Sequence, residues 1–139
     1  MDTRNATILH VEDERITAME FNMVLTRLGY RCRTASSGEQ ALTMARGDPP
    51  DLAILDIMLE GGLDGIETAL RLRAEMRVPI IFCSAYSTPE VVAQADQARP
   101  LAYLVKPVDF DRLRTVLERA VPPNRCERDC SMFRCRVFT

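Results

Sequence analysis

Five short apolar runs recur along the chain, each followed by a helical pattern. That alternation limits the fold more than any other feature. The runs occupy residues 6–11, 30–35, 52–56, 79–83 and 101–105. The third, Leu52-Ala53-Ile54-Leu55-Asp56, is apolar throughout until a single acid ends it. A short continuous apolar run suits a strand buried on both faces, as in a parallel sheet. Run 30–35 is arginine-rich and less apolar, which suits a strand at or near a sheet edge.

The intervening segments carry helix signals. After the first run, Ile16, Met19, Phe21, Met23, Val24 and Leu28 include spacings of three and four, and Gly29 supplies a stop. Ser36-Ser37-Gly38-Glu39 reads as a second helix start, with Ala41, Leu42 and Ala45 inward. Asp64 caps a third helix with Ile66, Ala69, Leu70 and Leu72 inward. Thr88-Pro89 opens a fourth, running towards Ala98 before Pro100 stops it. Asp109 opens a fifth, with Leu113, Val116, Leu117 and Ala120 inward. Five strands alternating with five helices over short connections predict an α/β fold, a doubly wound five-stranded parallel sheet covered on both faces. Residues 1–121 form this domain; residues 122–139 read as a tail without its own core.

In such a sheet the carboxyl ends of the strands share one edge, where α/β proteins place their chemistry. Those ends carry Glu12 and Asp13, then Asp56, then Ser84, then Lys106. Three carboxylates together repel one another and invite a divalent cation; an all-oxygen set with water suits Mg²⁺ (or Mn²⁺). Of 18 basic residues, every one is arginine except Lys106. A chain so biased gives its lone compact ammonium a specific task, that of a point charge. A metal and a lysine around one acid form a receptacle for a phosphoryl group, with Asp56 as nucleophile and Ser84 as a donor to a phosphoryl oxygen. The alternative is a structural Asp56–Lys106 ion pair beside a solvated acidic surface, which does not account for five such groups gathered at the ends of four strands.

Composition narrows the function classes. The chain has 139 residues and a net charge of −2, giving no electrostatic case for nucleic acid or an anionic membrane. No apolar run approaches the roughly 20 residues of a membrane span, and residues 1–5 are polar, so a cytoplasmic protein without a signal peptide is expected. The five cysteines are an odd number, arguing against a disulfide framework. Cys32 and Cys83 fall in strand-like runs and read as small core residues. Cys126, Cys130 and Cys135 have spacings of four and five and no evident fourth ligand, unlike usual zinc sites. His10, the sole histidine, lies inside a strand and reads as core.

The motifs Val11-Glu12-Asp13-Glu14, Ile54-Leu55-Asp56, Asp64-Gly65, Ser84-Ala85 and Tyr103-Leu104-Val105-Lys106-Pro107 together resemble the receiver domain of two-component response regulators. The resemblance covers residues 5–121. It implies a flavodoxin-like (βα)5 fold with strand order 2-1-3-4-5. It implies Asp56 as phosphoacceptor, Mg²⁺ held by Glu12, Asp13, Asp56 and the backbone carbonyl of Met58, and Ser84 and Lys106 against the phosphoryl group. Ser84 and Tyr103 become switch residues, and Lys106-Pro107 matches a bond that is usually cis. The implied partners are a histidine kinase or phosphotransfer protein and an unknown downstream protein, with the chain a monomer or weak homodimer.

Two departures stand out. Met58-Leu59-Glu60-Gly61-Gly62 lacks the proline common after the phosphoacceptor and looks slightly longer, which alters the loop beside the metal. Ala98-Arg99-Pro100 stands where a Gly-Ala pair is common. The leading reading is phosphorelay signalling rather than enzymatic turnover, with output through the face of the fourth helix, fifth strand and fifth helix. No DNA-binding output domain is expected in residues 122–139. A phosphate sink, or a receiver detached from a larger hybrid kinase or regulator, is the alternative. A receiver-like module working by contacts alone conflicts with intact Asp56, Ser84 and Lys106. A phosphatase of the haloacid dehalogenase class wants an acid two residues after its nucleophile, where this chain has Met58.

Overall fold

Within residues 52–55, successive side chains leave a strand on opposite faces. An apolar residue at every position therefore needs an apolar layer on both sides. The computed structural model describes residues 5–123 and supplies both layers. Its strands are β1 (Thr7–Val11), β2 (Arg31–Ala35), β3 (Leu52–Asp56), β4 (Ile80–Ser84) and β5 (Ala102–Val105). They form one parallel sheet in the order β2-β1-β3-β4-β5. The helices are α1 (Arg15–Arg27), α2 (Gly38–Gly47), α3 (Gly65–Glu75), α4 (Pro89–Ala95) and α5 (Phe110–Ala120). Leu52 and Ile54 pack with Phe21 and Leu25 of α1 and Leu113 and Leu117 of α5. Ala53 and Leu55 pack with Ala41 and Leu42 of α2, Ala69 and Leu72 of α3, and Ala95 of α4. Each fully buried Leu or Ile contributes about 1.5–3 kcal/mol, so the central strand anchors both layers. This is the doubly wound arrangement expected from the alternation, in the flavodoxin-like strand order that the resemblance implies.

Side-chain caps start the helices at the expected residues. Ser37 accepts from the Gln40 N–H at 3.1 Å, Asp64 from Glu67 at 2.8 Å, Thr88 from Val91 at 3.3 Å, and Asp109 from Asp111 at 2.9 Å. Each such cap is worth about 1 kcal/mol. Helix α4 ends at Ala95, and a single 3-10 turn, Asp96–Ala98, carries the chain to Arg99, which sits at φ 51°. At the far end, the Pro123 carbonyl accepts from the Ala6 N–H at 2.7 Å, tying the segment after α5 to the start of β1. The tail cysteines Cys126, Cys130 and Cys135 lie outside the described residues.

Three expectations need correction. Helix α1 seats Ala18, Phe21 and Leu25 on the sheet, leaving Ile16, Met19 and Met23 at 73%, 62% and 56% exposure. Ile16, Met19 and Met23 share one helical spacing and Ala18, Phe21 and Leu25 another, so spacing alone does not choose between them. The small Ala18 lets the helix approach the sheet, and the Phe21 ring stacks on His10 at 4.3 Å, which sets the phase. Ala120 is exposed because it lies in the last turn of α5, beyond the sheet contact of Leu117. Cys32 is only half-buried because β2 is an edge strand, whereas Cys83 is buried in β4.

His10 sits in β1 with 1% exposure, and its Nδ1 has no hydrogen-bond partner among the described residues. Burial, with the positive charge of Lys106 adding to it, lowers its pKa from 6.5 to about 3. The unfolded chain thus takes up a proton below pH 6.5 that the folded chain refuses until about pH 3. The associated stability is complete above pH 6.5 and is lost progressively as pH falls through that window. His10→Phe keeps the ring stack and removes the titration. Between pH 7 and pH 5 the native protein should lose about 2 kcal/mol more than the variant in urea denaturation. Equal losses in both proteins would contradict this.

Candidate functional site

The register aligns the strand ends. Val11 pairs with Leu55, Asp56 with Cys83, and Ser84 with Val105. Glu12 and Lys106 each follow the last residue of a strand, so Glu12, Asp56, Ser84 and Lys106 come to one edge. Asp13 stands beside Glu12 on the turn into α1, and oxygens of Glu12, Asp13 and Asp56 all lie within 4.8 Å of one another. The Lys106 Nζ donates to Asp56 Oδ2 at 2.8 Å and to Glu12 Oε1 at 3.0 Å. The other Asp56 oxygen accepts from the Met58 N–H at 3.1 Å, and the other Glu12 oxygen from the Glu14 N–H at 3.2 Å.

The electrostatics follow from burial and charge. The Glu12 side chain is 1% exposed and that of Asp56 9%, whereas Lys106 is 23% exposed. Burial raises the Glu12 pKa; the bond from Lys106 opposes this and the charge of Asp56 adds to it. For Lys106, burial acts downward, but the bonds to Asp56 and Glu12 outweigh it and the ammonium is held above its usual range. One cation thus faces two nearly dry carboxylates, with a third beside them. This donor set is all oxygen and carries excess negative charge, so it fits a hard divalent cation such as Mg²⁺.

Ser84 and Tyr103 form an adjoining group. Ser84 is fully buried at the end of β4, and its Oγ accepts from the Tyr86 N–H at 3.1 Å. The Tyr103 hydroxyl donates to the Tyr86 carbonyl at 2.5 Å. Burial raises the Tyr103 pKa, the Ser84 hydroxyl opposes it, and the Asp56 charge adds to it. The Tyr86 peptide therefore joins Ser84 to Tyr103. Tyr86 was not singled out from the sequence, because its part is played by main-chain atoms and any residue would read the same. The Lys106-Pro107 bond is cis.

The loop from Asp56 to α3 is held by side chains from elsewhere. The Glu60 N–H donates to Asp13 Oδ2 at 2.9 Å, and the Leu63 N–H donates to Glu39 Oε2 at 3.0 Å. The Met58 side chain points outward with 54% exposure, whereas Leu59 is buried. Gly65 opens α3 against the main chain of Asp56 and Ile57, where an added Cβ would overlap the Asp56 carbonyl, and its N–H donates to the Ile57 carbonyl at 2.8 Å. The glycine of the Asp64-Gly65 pair thus lets α3 start against the strand end.

A family model for the response regulator receiver domain matches residues 8–118. The chain belongs to the response regulator receiver domain family. The positive alginate biosynthesis regulatory protein of Pseudomonas aeruginosa is 38% identical over 124 residues, covering 86% of this chain and 49% of that protein. The transcriptional regulatory protein ZraR of Escherichia coli is 35% identical over 118 residues, 84% of this chain and 26% of that protein. This chain therefore spans about a quarter to a half of the length of these relatives. Among solved structures, the receiver domain of a modulated diguanylate cyclase from Desulfovibrio desulfuricans superposes with a TM-score of 0.79 at 39% identity, over 85% of this chain and 94% of that one. The chemotaxis protein CheY4 of Vibrio cholerae gives 0.78 at 25%, over 85% of this chain and all (100%) of that one. Receiver domains are signalling domains of two-component systems that bind Mg²⁺ at an acidic pocket and interact with histidine kinases and downstream effectors. No helix among the described residues is long and apolar enough to cross a membrane.

Removing Lys106 leaves two buried carboxylates facing each other without their cation. Lys106→Met should cost about 2–3 kcal/mol at pH 7. That is somewhat below the ~3–5 of a fully buried pair, because the ammonium is partly solvated. Urea denaturation checks this; unchanged stability would show the pair contributes nothing.

Proposed function

We propose that this domain accepts a phosphoryl group on Asp56 from the phosphohistidine of a kinase or phosphotransfer protein. The observation that carries this reading is the double contact of Asp56: Lys106 holds one carboxylate oxygen and the Met58 N–H holds the other. Such a carboxylate is oriented at the strand-end edge, with an ammonium beside it. In the proposed step an Asp56 oxygen attacks phosphorus, the new O–P bond forms, and the P–N bond of the donor breaks. The bonding pair returns to the imidazole nitrogen. Lys106 then stabilises charge on the phosphoryl oxygens, a positioned point charge at a developing negative site.

Glu12, Asp13, Asp56 and the Met58 carbonyl are the groups that would hold Mg²⁺. When bound, Mg²⁺ supplies further neutralisation of phosphoryl charge and relieves the repulsion among the three carboxylates. Ser84 is proposed to turn its hydroxyl towards the phosphoryl group. Because its Oγ accepts from Tyr86 and the Tyr86 carbonyl accepts from Tyr103, that turn disturbs both bonds together. The result is a local electrostatic change biasing a two-state element, read out at the face of α4, β5 and α5. Leu101 and Val105 already expose apolar surface there, at 51% and 47%.

Incubation with acetyl phosphate and Mg²⁺ should add one phosphoryl group to the native protein, seen as a base-labile mass increase. Asp56→Asn should reduce this at least a hundredfold, since the amide is not a nucleophile. Labelling of the variant at the native rate would remove Asp56 from the mechanism.

A further inference from the structure

The loop after Asp56 is where this chain leaves the usual receiver pattern, and two carboxylates clasp it from outside. Asp13 takes the Glu60 N–H, and Glu39, from the first turn of α2, takes the Leu63 N–H. The two glycines between them serve different demands. Gly61 turns the chain at φ +85°, a left-handed conformation that favours glycine. Gly62 lies so close to the Glu39 carboxylate that an added Cβ would overlap it. Gly62 thus leaves the space that the Glu39 carboxylate occupies beside the Leu63 N–H, although the two lie on separate elements.

Asp13 has two engagements. It belongs to the cluster of Glu12, Asp13 and Asp56, and its Oδ2 also anchors the loop. A loop that drifts at Leu63 pulls on the Glu60 N–H and so on Asp13. It also moves the Met58 peptide, whose N–H rests on Asp56. We propose that Glu39 is a positioning residue: by holding the Leu63 N–H it fixes the 58–63 loop, keeps Asp13 and Met58 in place, and so sets the Mg²⁺ affinity of the acidic cluster. This rests on the proposed reading of that cluster as the Mg²⁺ site. Groups that orient metal ligands from one contact away shift metal affinity by about 10–100-fold. Glu39 acts through a loop, so about five- to tenfold is expected.

Mg²⁺ binding is measured by titration calorimetry on the full chain and its variants at fixed ionic strength. Glu39→Ala should weaken Mg²⁺ five- to tenfold. Glu39→Gln, which retains an oxygen acceptor for Leu63 but no charge, should stay within twofold. Gly62→Ala, which displaces the Glu39 carboxylate from the other side, should weaken binding as Glu39→Ala does. Amide hydrogen exchange without metal should quicken at both Leu63 and Glu60 in Glu39→Ala, a coupling that loss of a single local bond would not produce. The inference is overturned if Glu39→Ala binds Mg²⁺ like the native chain, if Glu39→Gln weakens binding as much as Glu39→Ala, or if Glu60 exchange is unchanged. Absence of Mg²⁺ binding by the native chain would instead remove the metal reading itself, and this inference with it.

Discussion

The contact of Lys106 with both Asp56 and Glu12 is the constraint on which the strand-end edge depends. Two carboxylates that are almost completely buried stand next to each other, and a third joins them. Without a cation the edge would have to protonate or open. The contact also spans the sheet, since Glu12 follows β1, Asp56 ends β3 and Lys106 follows β5. Its geometry needs all three strands in register, which ties the site to the packing of both helical layers. The same ammonium leaves one Asp56 oxygen to a main-chain N–H and keeps the side chain oriented.

The fold was legible because its signals are local and repeated. Residues 52–55 are apolar at every position, which suits a strand in a sheet covered on both faces, and the caps at Ser37, Asp64, Thr88 and Asp109 are short-range chemistry. The family follows from the order of the strand-end residues, and Lys106 was conspicuous against a background of arginine. The seating of α1 was not legible, because Ile16, Met19 and Met23 have the spacing of a buried stripe, and the phase is fixed by long-range contacts of Phe21 and Leu25, the stack of Phe21 on His10 among them. Glu39 read as an ordinary helix-start acid, because its partner, the Leu63 N–H, is 24 residues away. Tyr86 gave no signal, since its peptide rather than its side chain joins Ser84 to Tyr103.

The strand-end edge thus has two parts with different physical character. One is a charged cluster in which a partly solvated ammonium meets two carboxylates nearly excluded from water. The other is a short chain of neutral hydrogen bonds running from Ser84 through the Tyr86 peptide to Tyr103, towards an exposed face. In the proposed function the first part does the chemistry and the second carries the consequence. The division places a large electrostatic change beside bonds each worth only about 0.5–1.5 kcal/mol. A modest rearrangement then suffices to move the second part.

In the proposed function, phosphorylation of Asp56 acts on both parts at once. The most direct measurement is an amide NMR titration of the Mg²⁺-loaded protein with beryllofluoride, a stable mimic of the acyl phosphate. Shifts are expected at Met58 and Lys106 in the cluster and, in the same transition, at Tyr86 and Tyr103, all lost in Asp56→Asn. Shifts confined to the cluster, or persisting in Asp56→Asn, would contradict the proposed function.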